Sequence, residues 1–219
     1  RAADEIEDSI NLTLQDRDSF TALPANKYNI TDDWHRFSVL YHLNANPFQL
    51  IDLNTLEGIY FRKIRGVWYH LMAGVTSSTF KQISENPTLS SGNDDAEASN
   101  PRSDGTKVSL FNFGVGLSYR FRFLYHLLPD KPLIESCATT ITYNSFSDSL
   151  RSYSYTGPGI KVDYGVQYRT SRSFHYGLKL SYNIVTGKRG PIYTSEPDID
   201  RRLALSWLSL GVDFTFYLQ

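Results

Sequence analysis

The sequence from Leu208 to Gln219 reads LSLGVDFTFYLQ, and its hydrophobicity alternates with a period of two. Every second position carries a large apolar side chain, and the positions between them are mostly small or polar. Successive side chains of a β-strand point to opposite sides of the sheet, so this alternation predicts a strand with one apolar and one polar face. The apolar positions are Leu208, Leu210, Val212, Phe214, Phe216 and Leu218.

The same period recurs upstream and predicts an all-β chain. Alternating segments predict strands near residues 8–18, 34–44, 58–77, 108–125, 133–147, 154–170, 174–187 and 203–218. The count is eight. It becomes ten if segment 58–77 hides a hairpin at Arg62–Arg65 and Leu50–Leu56 is a short extra strand rather than one helical turn. The alternation blurs in 133–147, which leaves a β-bulge open there.

Composition excludes several classes of protein. The 219 residues include 22 Lys+Arg and 23 Asp+Glu, a balance that argues against a nucleic-acid partner. The single cysteine, Cys137, excludes an internal disulfide framework and a cysteine-based zinc finger. No apolar run approaches the roughly 18 residues that a transmembrane helix needs. We expect one domain, 1–219, with a long mobile loop near 78–107 that is rich in Ser, Asn, Asp and Gly.

An even number of alternating strands predicts a closed antiparallel up-and-down barrel. A soluble barrel has its apolar face inside, whereas a transmembrane barrel turns that face towards lipid. Glycines share the polar face with mid-strand charges, and longer connections gather at one end, which favours the transmembrane form. The predicted interior charge network is Arg120, Arg122, Lys161, Asp163, Lys179 and Asp213. The predicted lipid-facing residues are Phe111, Phe113, Val115, Leu117, Ile160, Val162, Tyr164, Leu178, Leu180, Leu208, Leu210, Val212, Phe214 and Phe216.

With this pattern, the chain resembles the small bacterial outer-membrane β-barrels of the OmpA transmembrane-domain, OmpX and OmpW type. The resemblance covers nearly the whole chain and is most specific in the C-terminal strand. Barrels of this type end in an alternating apolar strand with a terminal Phe or Trp, which the outer-membrane assembly machinery recognises. Phe214, Phe216 and Leu218 keep that alternation as an assembly signal, although Gln219 takes the last place. The resemblance implies a bacterial outer-membrane location, contact with the bilayer and lipopolysaccharide, and both termini in the periplasm.

The predicted interior leaves little room for a pore. Eight strands enclose a space just wide enough for side chains. With the tight turn centred on Ser171, Asp163 lies opposite Lys179, and we expect an ion pair between them. The leading interpretation is a structural, adhesive or docking barrel without a wide pore, with another envelope protein as a candidate partner. The alternative is a narrow channel or small-hydrophobe conduit of OmpW type, which needs a lateral gap or an apolar interior.

A lipid-modifying enzyme is the third interpretation. It needs a Ser/His pair near the membrane edge, and His175 has Ser173 two residues before it. No acidic residue is near this pair in sequence, so we do not expect an enzyme. The acidic residues at 94–104 lack the order of an EF-hand loop. We therefore expect neither a metal ion nor a cofactor.

Overall fold

The computed structural model describes residues 35–45, 50–64, 67–81, 85–87, 106–121, 123–124, 128, 131–148, 153–171, 173–189 and 201–218. Eight long strands and one short strand run in chain order. They are β1 (His35–Asn44), β2 (Leu50–Ile64), β3 (Val67–Phe80), β4 (Glu85–Pro87), β5 (Thr106–Phe121), β6 (Leu133–Asp148), β7 (Ser154–Arg169), β8 (Phe174–Arg189) and β9 (Arg201–Leu218).

The eight long strands form one closed ring. Each pairs antiparallel with the next long strand along the chain, and β1 pairs with β9 to close the ring. The predicted closed up-and-down barrel of eight strands is confirmed. The terminus end is the end at which β1 begins and β9 finishes. The loop end is the opposite end, to which the connections after β1, β3, β6 and β8 belong.

The number of strands and the pairing register together set the width of the barrel. A row of paired residues that starts at Tyr164 on β7 passes once around the ring and returns to β7 at Ser154, ten residues away. This offset is the shear of the barrel, and it requires strands that are tilted against the barrel axis. Eight strands at such a tilt enclose space for side chains and little more.

Strand boundaries differ from the prediction in the first third of the chain. Segment 58–77 is two strands, because β2 ends at Ile64 and β3 begins at Val67. Leu50–Leu56 belongs to β2 and is not a helical turn. The predicted strand at 8–18 lies outside the described residues. The pairing of 133–147 is regular, so the bulge left open there is not formed, and the described register is instead irregular in β2 between Leu50 and Asp52.

The segment predicted as a mobile loop, near 78–107, overlaps described strands at both ends. β3 continues to Phe80 and β5 begins at Thr106. Between them Glu85–Pro87 forms β4, which pairs with residues 201–203 of β9 beyond the point where β1 ends. Residues 82–84 and 88–105 lie outside the described part of the chain.

The outer wall of the barrel is apolar. Phe111 is 54% exposed, Leu178 is 56% exposed and Phe214 is 40% exposed, and the other predicted lipid-facing residues lie on the same wall, with Leu208 half-buried. The inner wall carries the buried charges. An apolar outside around a charged inside is the arrangement of a transmembrane barrel. Among the described residues, no helix is long and apolar enough to cross a membrane.

The interior is layered: the polar, charged interior that the sequence predicts occupies the middle of the barrel, and apolar clusters occupy both ends. The loop-end cluster consists of Leu50, Leu53, Phe80, Val108, Leu110, Phe146, Tyr153, Tyr155, Val185, Leu203, Leu205 and Trp207. The terminus-end cluster consists of Leu40, Ile59, Phe61, Trp68, Met72 and Tyr217. The reason lies in the strand ends: on β9 the inward positions from Leu203 to Trp207 are apolar, while those from Ser209 to Thr215 are small or polar.

Candidate functional site in the barrel interior

A central cluster of charges occupies the middle of the barrel. Lys161 on β7 forms an ion pair with Glu57 on β2, and its Nζ lies 3.5 Å from Oδ1 of Asp163. These three side chains are at most 2% exposed. A buried charge is tolerated only when it is paired, so the ammonium group offsets the desolvation of both carboxylates.

Glu57 also anchors a histidine and, through it, a serine. His42 Nε2 lies 3.2 Å from Oε2 of Glu57, and His42 Nδ1 lies 3.3 Å from Oγ of Ser209. A Ser–His–Glu set is the arrangement that activates a serine nucleophile in acyl transfer. Here all three residues are at most 2% exposed, and the carboxylate is bound by Lys161. The set therefore lacks the access that a lipid substrate needs, and it acts as a hydrogen-bonded support.

Glycines on the inner wall make room for this cluster. A Cβ atom at Gly211 would lie 2.6 Å from His42 Nδ1, and one at Gly74 would lie 2.9 Å from Cγ of Glu57. Both distances are shorter than real Cβ contacts. Inward glycines therefore accommodate long polar side chains at these two positions.

A second ion pair joins β8 to β9. Lys179 Nζ lies 3.3 Å from Oδ2 of Asp213, and Gln167 Nε2 donates to the same oxygen over 2.7 Å. The predicted pair of Asp163 with Lys179 is wrong. Asp163 lies opposite Ser181, and Lys179 lies opposite Gly165.

The cause of that error is the position of the turn between β7 and β8. The Ser171 N–H donates to the Phe174 carbonyl, and Arg169 pairs with His175, so the turn is centred one residue later than predicted. The partner of each residue therefore shifts by two positions. A shift of two leaves every side chain on its predicted face, since strand side chains alternate with a period of two.

Of the two predicted interior arginines, only Arg120 lies within the described residues. It is half-buried on the inner wall, and its guanidinium group donates to the Tyr217 hydroxyl. Arg122 lies outside the described part. The predicted set thus contributes four buried charges, Lys161, Asp163, Lys179 and Asp213, and one half-buried arginine.

Sequence reasoning missed several interior residues, among them Glu57, His42 and Arg36. Arg36 and His42 lie on the inward face of β1, whereas Phe37 and Tyr41 lie on its outward face, so the alternation of the sequence could have predicted them. Glu57 was missed because the predicted strand began at residue 58. Only the position of the strand start concealed it.

The Ser173–His175 pair is not brought together. Ser173 is exposed at the turn, while His175 is 3% exposed and packs at a tilt against the Tyr217 ring inside the barrel, with a centroid separation of 4.5 Å. In the described segments no group of three or more His, Cys, Asp or Glu side chains could hold a metal ion. The acidic residues at 94–104 lie outside those segments.

Several solved outer-membrane barrels are similar to this chain at low sequence identity. Neisserial surface protein A is 12% identical, covers 84% of this chain and 96% of its own, and has a TM-score of 0.48. OprG from Pseudomonas aeruginosa is 9% identical, covers 84% and 95%, and has a TM-score of 0.49. Ail, the attachment invasion locus protein of Yersinia pestis, is 11% identical, covers 83% and 97%, and has a TM-score of 0.33.

No protein-family model and no curated protein matches the sequence. The likeness to the solved barrels concerns the fold, and with TM-scores below 0.5 none of their functions is transferred to this chain.

Proposed function

We propose that this protein is a non-conducting β-barrel of the bacterial outer membrane with a structural, adhesive or docking role. The supporting observation is the filled interior. The loop-end cluster, the central charges around Lys161 and the terminus-end cluster follow one another along the barrel axis. Each layer is built from buried side chains, so a continuous water path has no room in an eight-stranded barrel.

The apolar part of the outer wall fits a bilayer, and at the loop end this apolar part gives way to polar residues. A row of small polar residues crosses five neighbouring strands there, and its members pair in order: Asn54, Ser77, Ser109, Ser147 and Ser154. Exposed Lys107 and Lys188 lie on the same wall, farther from the barrel centre. We place the lipopolysaccharide phosphates at these lysines, because cations pair with phosphate. The loop end then faces outward and both termini lie in the periplasm.

The outer-membrane assembly machinery is the proposed partner during insertion. Phe214, Phe216 and Leu218 stand on the outer wall of β9, each between 40% and 49% exposed. The same strand closes the ring on β1, where Phe216 pairs with Phe37. This placement keeps the proposed signal accessible until closure and buries its backbone edge afterwards.

Single-channel recording in a planar bilayer tests the proposed function. The folded protein should give no discrete openings under conditions in which a known porin conducts. Insertion should be verified by recovering protease-protected barrel from the same membranes. Discrete openings of uniform size from verified barrel would contradict a non-conducting role.

A small-hydrophobe conduit is the second candidate, and one specific feature of the wall favours it. β1 pairs with β9 only from Ser209 onward, and β4 pairs with residues 201–203. Among the residues that the structure describes, 204–207 have no strand partner on that side. The side chains of Leu205 and Trp207 there belong to the loop-end cluster. An apolar interior beside a break in the wall is what lateral entry of an apolar molecule requires.

Tryptophan fluorescence separates the conduit from a packed plug. A variant with Trp34→Phe and Trp68→Phe retains Trp207 inside the loop-end cluster, and a variant with Trp34→Phe and Trp207→Phe retains Trp68 as the control. Saturable quenching of Trp207, but not of Trp68, by a brominated alkane supports the conduit. Weak, unsaturable quenching in both variants supports the plug.

The lipid-modifying enzyme remains the weakest candidate. The described Ser–His–Glu set is buried at Ser209, His42 and Glu57, away from the outer wall where lipid lies. Incubation of the folded barrel with acyl-labelled lipopolysaccharide and phospholipid should release or transfer no acyl chain. Label transfer that depends on Ser209 would instead establish an enzyme.

A further inference from the structure

The terminus end of the interior gathers positive charge around one tyrosine. Arg36 on β1, Arg120 on β5, Arg169 on β7 and His175 on β8 all point inward at this end, around Tyr217 of β9. Arg36, Arg169 and His175 are 3–4% exposed, and Arg120 is half-buried. The function proposed above makes no use of this group, which we call the arginine cluster.

Among the described residues, Arg36 and Arg120 make their hydrogen bonds and ring contacts with neutral side chains. Arg36 Nη2 lies 3.5 Å from Oγ of Ser118, and its Cζ lies 3.9 Å from the ring centroid of Phe61. Arg120 donates to the Tyr217 hydroxyl, and its Cζ lies 5.1 Å from the Trp68 centroid. Aromatic faces and hydroxyl groups attract a guanidinium group but do not neutralise it.

The nearby interior carboxylates are already engaged. Within the described segments, Glu57 and Asp163 pair with Lys161, and Asp213 pairs with Lys179 while also accepting from Gln167. No ion pair in those segments joins a carboxylate to Arg36 or Arg120. In that part of the chain, Arg36 and Arg120 therefore lack a carboxylate partner, while the acids of the central layer have their own cations.

Several donors of the cluster also lack an acceptor. Within the described part, the Nε atoms of Arg36 and Arg120 have no hydrogen-bond partner, and neither does either ring nitrogen of His175. Guanidinium groups can only donate. A buried cation without a counter-charge and a buried donor without an acceptor are both costly, and an anion with several oxygens would offset both costs.

We propose that the arginine cluster binds a phosphate-type oxyanion at the terminus end of the barrel. The planar fork of an arginine matches two oxygens of a phosphate, and two arginines from different strands supply charge from two sides. His175 and the Tyr217 hydroxyl lie beside them as further donors. Because Arg120 is only half-buried, the cluster reaches the end of the described barrel, the side from which a free phosphate or a lipid headgroup would approach.

The test measures how phosphate changes the thermal unfolding of the whole chain. Barrel folded in non-ionic detergent is heated in phosphate or in chloride at equal ionic strength and pH, and the midpoint is read as the loss of the folded band on an SDS gel. At about ten times its dissociation constant, phosphate should raise the midpoint by about 3–6 °C. Arg36→Gln and Arg120→Gln should abolish this rise.

Arg189→Gln is the matched control. Arg189 is also an interior arginine, 6% exposed and stacked on Tyr153, but it lies at the loop end. The rise should persist in this variant. If Arg36→Gln does not fold, Arg120→Gln, whose position is only half-buried, still tests the site. As a second measurement, the broadening of the ³¹P signal of inorganic phosphate is compared between wild type and Arg120→Gln.

Lipid arms of the same experiment identify the source of the anion. Stabilisation by inorganic phosphate supports a free anion, whereas stabilisation only by short-chain phosphatidylglycerol over phosphatidylcholine supports a lipid headgroup. Either result upholds the site. The proposal is overturned if neither probe raises the midpoint of wild type, or if the rise is equal in wild type and Arg120→Gln.

Discussion

Lys161 is the residue on which the charge balance of the interior depends most. It pairs with Glu57 and Asp163, and all three are buried. Lys161→Met should lower the free energy of unfolding by about 3–5 kcal/mol, because it leaves two buried carboxylates uncompensated. Urea unfolding of detergent-folded barrel measures this change.

Lys107→Met is the matched control for that substitution. Lys107 is exposed on the outer wall near the loop end, so its loss should change stability by less than about 0.5 kcal/mol. Equal effects of the two substitutions would mean that the central ion pairs contribute nothing. Lys179→Met should also lower stability, through the loss of its pair with Asp213.

The inward glycines give a second prediction at the residue scale. Gly211→Ala should cost about 1–3 kcal/mol, since its Cβ would lie 2.6 Å from His42 Nδ1. His42→Ala should relieve most of that cost, because the imidazole is the group in the way. Unfolding of the two single variants and the double variant forms the cycle that measures this relief.

Gly116→Ala is the control for Gly211→Ala, because deleting the neighbouring side chain should not restore its stability. Its Cβ would lie 2.5 Å from His70 Nε2, but also 2.1 Å from the Thr139 carbonyl oxygen on the neighbouring backbone. His70→Ala should therefore leave most of the loss in place. Similar rescue at Gly116 and at Gly211 would mean that the wall relaxes more freely than this packing implies.

Residue-level pairing was the least predictable part of the interior. The two-residue alternation of the sequence predicts Lys161, Asp163 and Lys179 on the inner wall, because successive side chains of a strand point to opposite faces. The partner of each residue depends on the exact turn position, and an error of one residue at the turn moved Asp163 from Lys179 to Ser181. The arginine cluster depends on four strands that meet only after closure, which a sequence pattern does not report.

At the scale of the strand, β9 offers the sharpest contrast between the two ends of the outer wall. Val212 lies mid-strand on that wall, whereas Ala204 lies near the loop end. Val212→Arg should cost about 2–4 kcal/mol in a bilayer, and Ala204→Arg about 0–1 kcal/mol, since the cost of a lipid-facing charge falls towards the interface. Reversible folding into phosphatidylcholine vesicles measures both.

A control separates lipid contact from damage to the strand. Val212→Ser keeps the side chain small and adds no charge, so it should lower the free energy of unfolding much less than Val212→Arg does. Equal costs for the arginine at Val212 and at Ala204 would contradict the assignment of this wall to lipid.

Strand faces were more predictable than strand ends. The outer wall of β5, β7, β8 and β9 is consistently apolar over the middle of each strand, because lipid accepts only apolar side chains there. Polar residues such as Ser109 and Lys188 take outward positions only towards the loop end. In β6 the alternation is blurred near Glu135. The carboxylate of this residue is buried and accepts hydrogen bonds from the Leu124 N–H and the Tyr164 hydroxyl. The three-residue β4 has no periodicity of its own, so only its pairing with β9 defines it.

At the scale of the whole molecule, closure follows from the medium. Hydrocarbon offers no hydrogen bonds to backbone groups, so a sheet in a membrane must pair its first strand with its last. The pairing of β1 with β9 meets this requirement along ten residues of β9. The sequence predicts that ring because its apolar faces need a bilayer, but it does not predict the apolar layers that fill the barrel at both ends.

The central claim is a closed membrane barrel with its apolar face outward, and heat modifiability tests it most directly. The chain is folded in detergent, and unboiled and boiled samples are compared on an SDS gel, with far-ultraviolet circular dichroism of the unboiled sample. The protein should remain folded in cold SDS, show a β-sheet spectrum and change its mobility only after boiling. A chain that folds in buffer without detergent and loses its structure in cold SDS would contradict the claim.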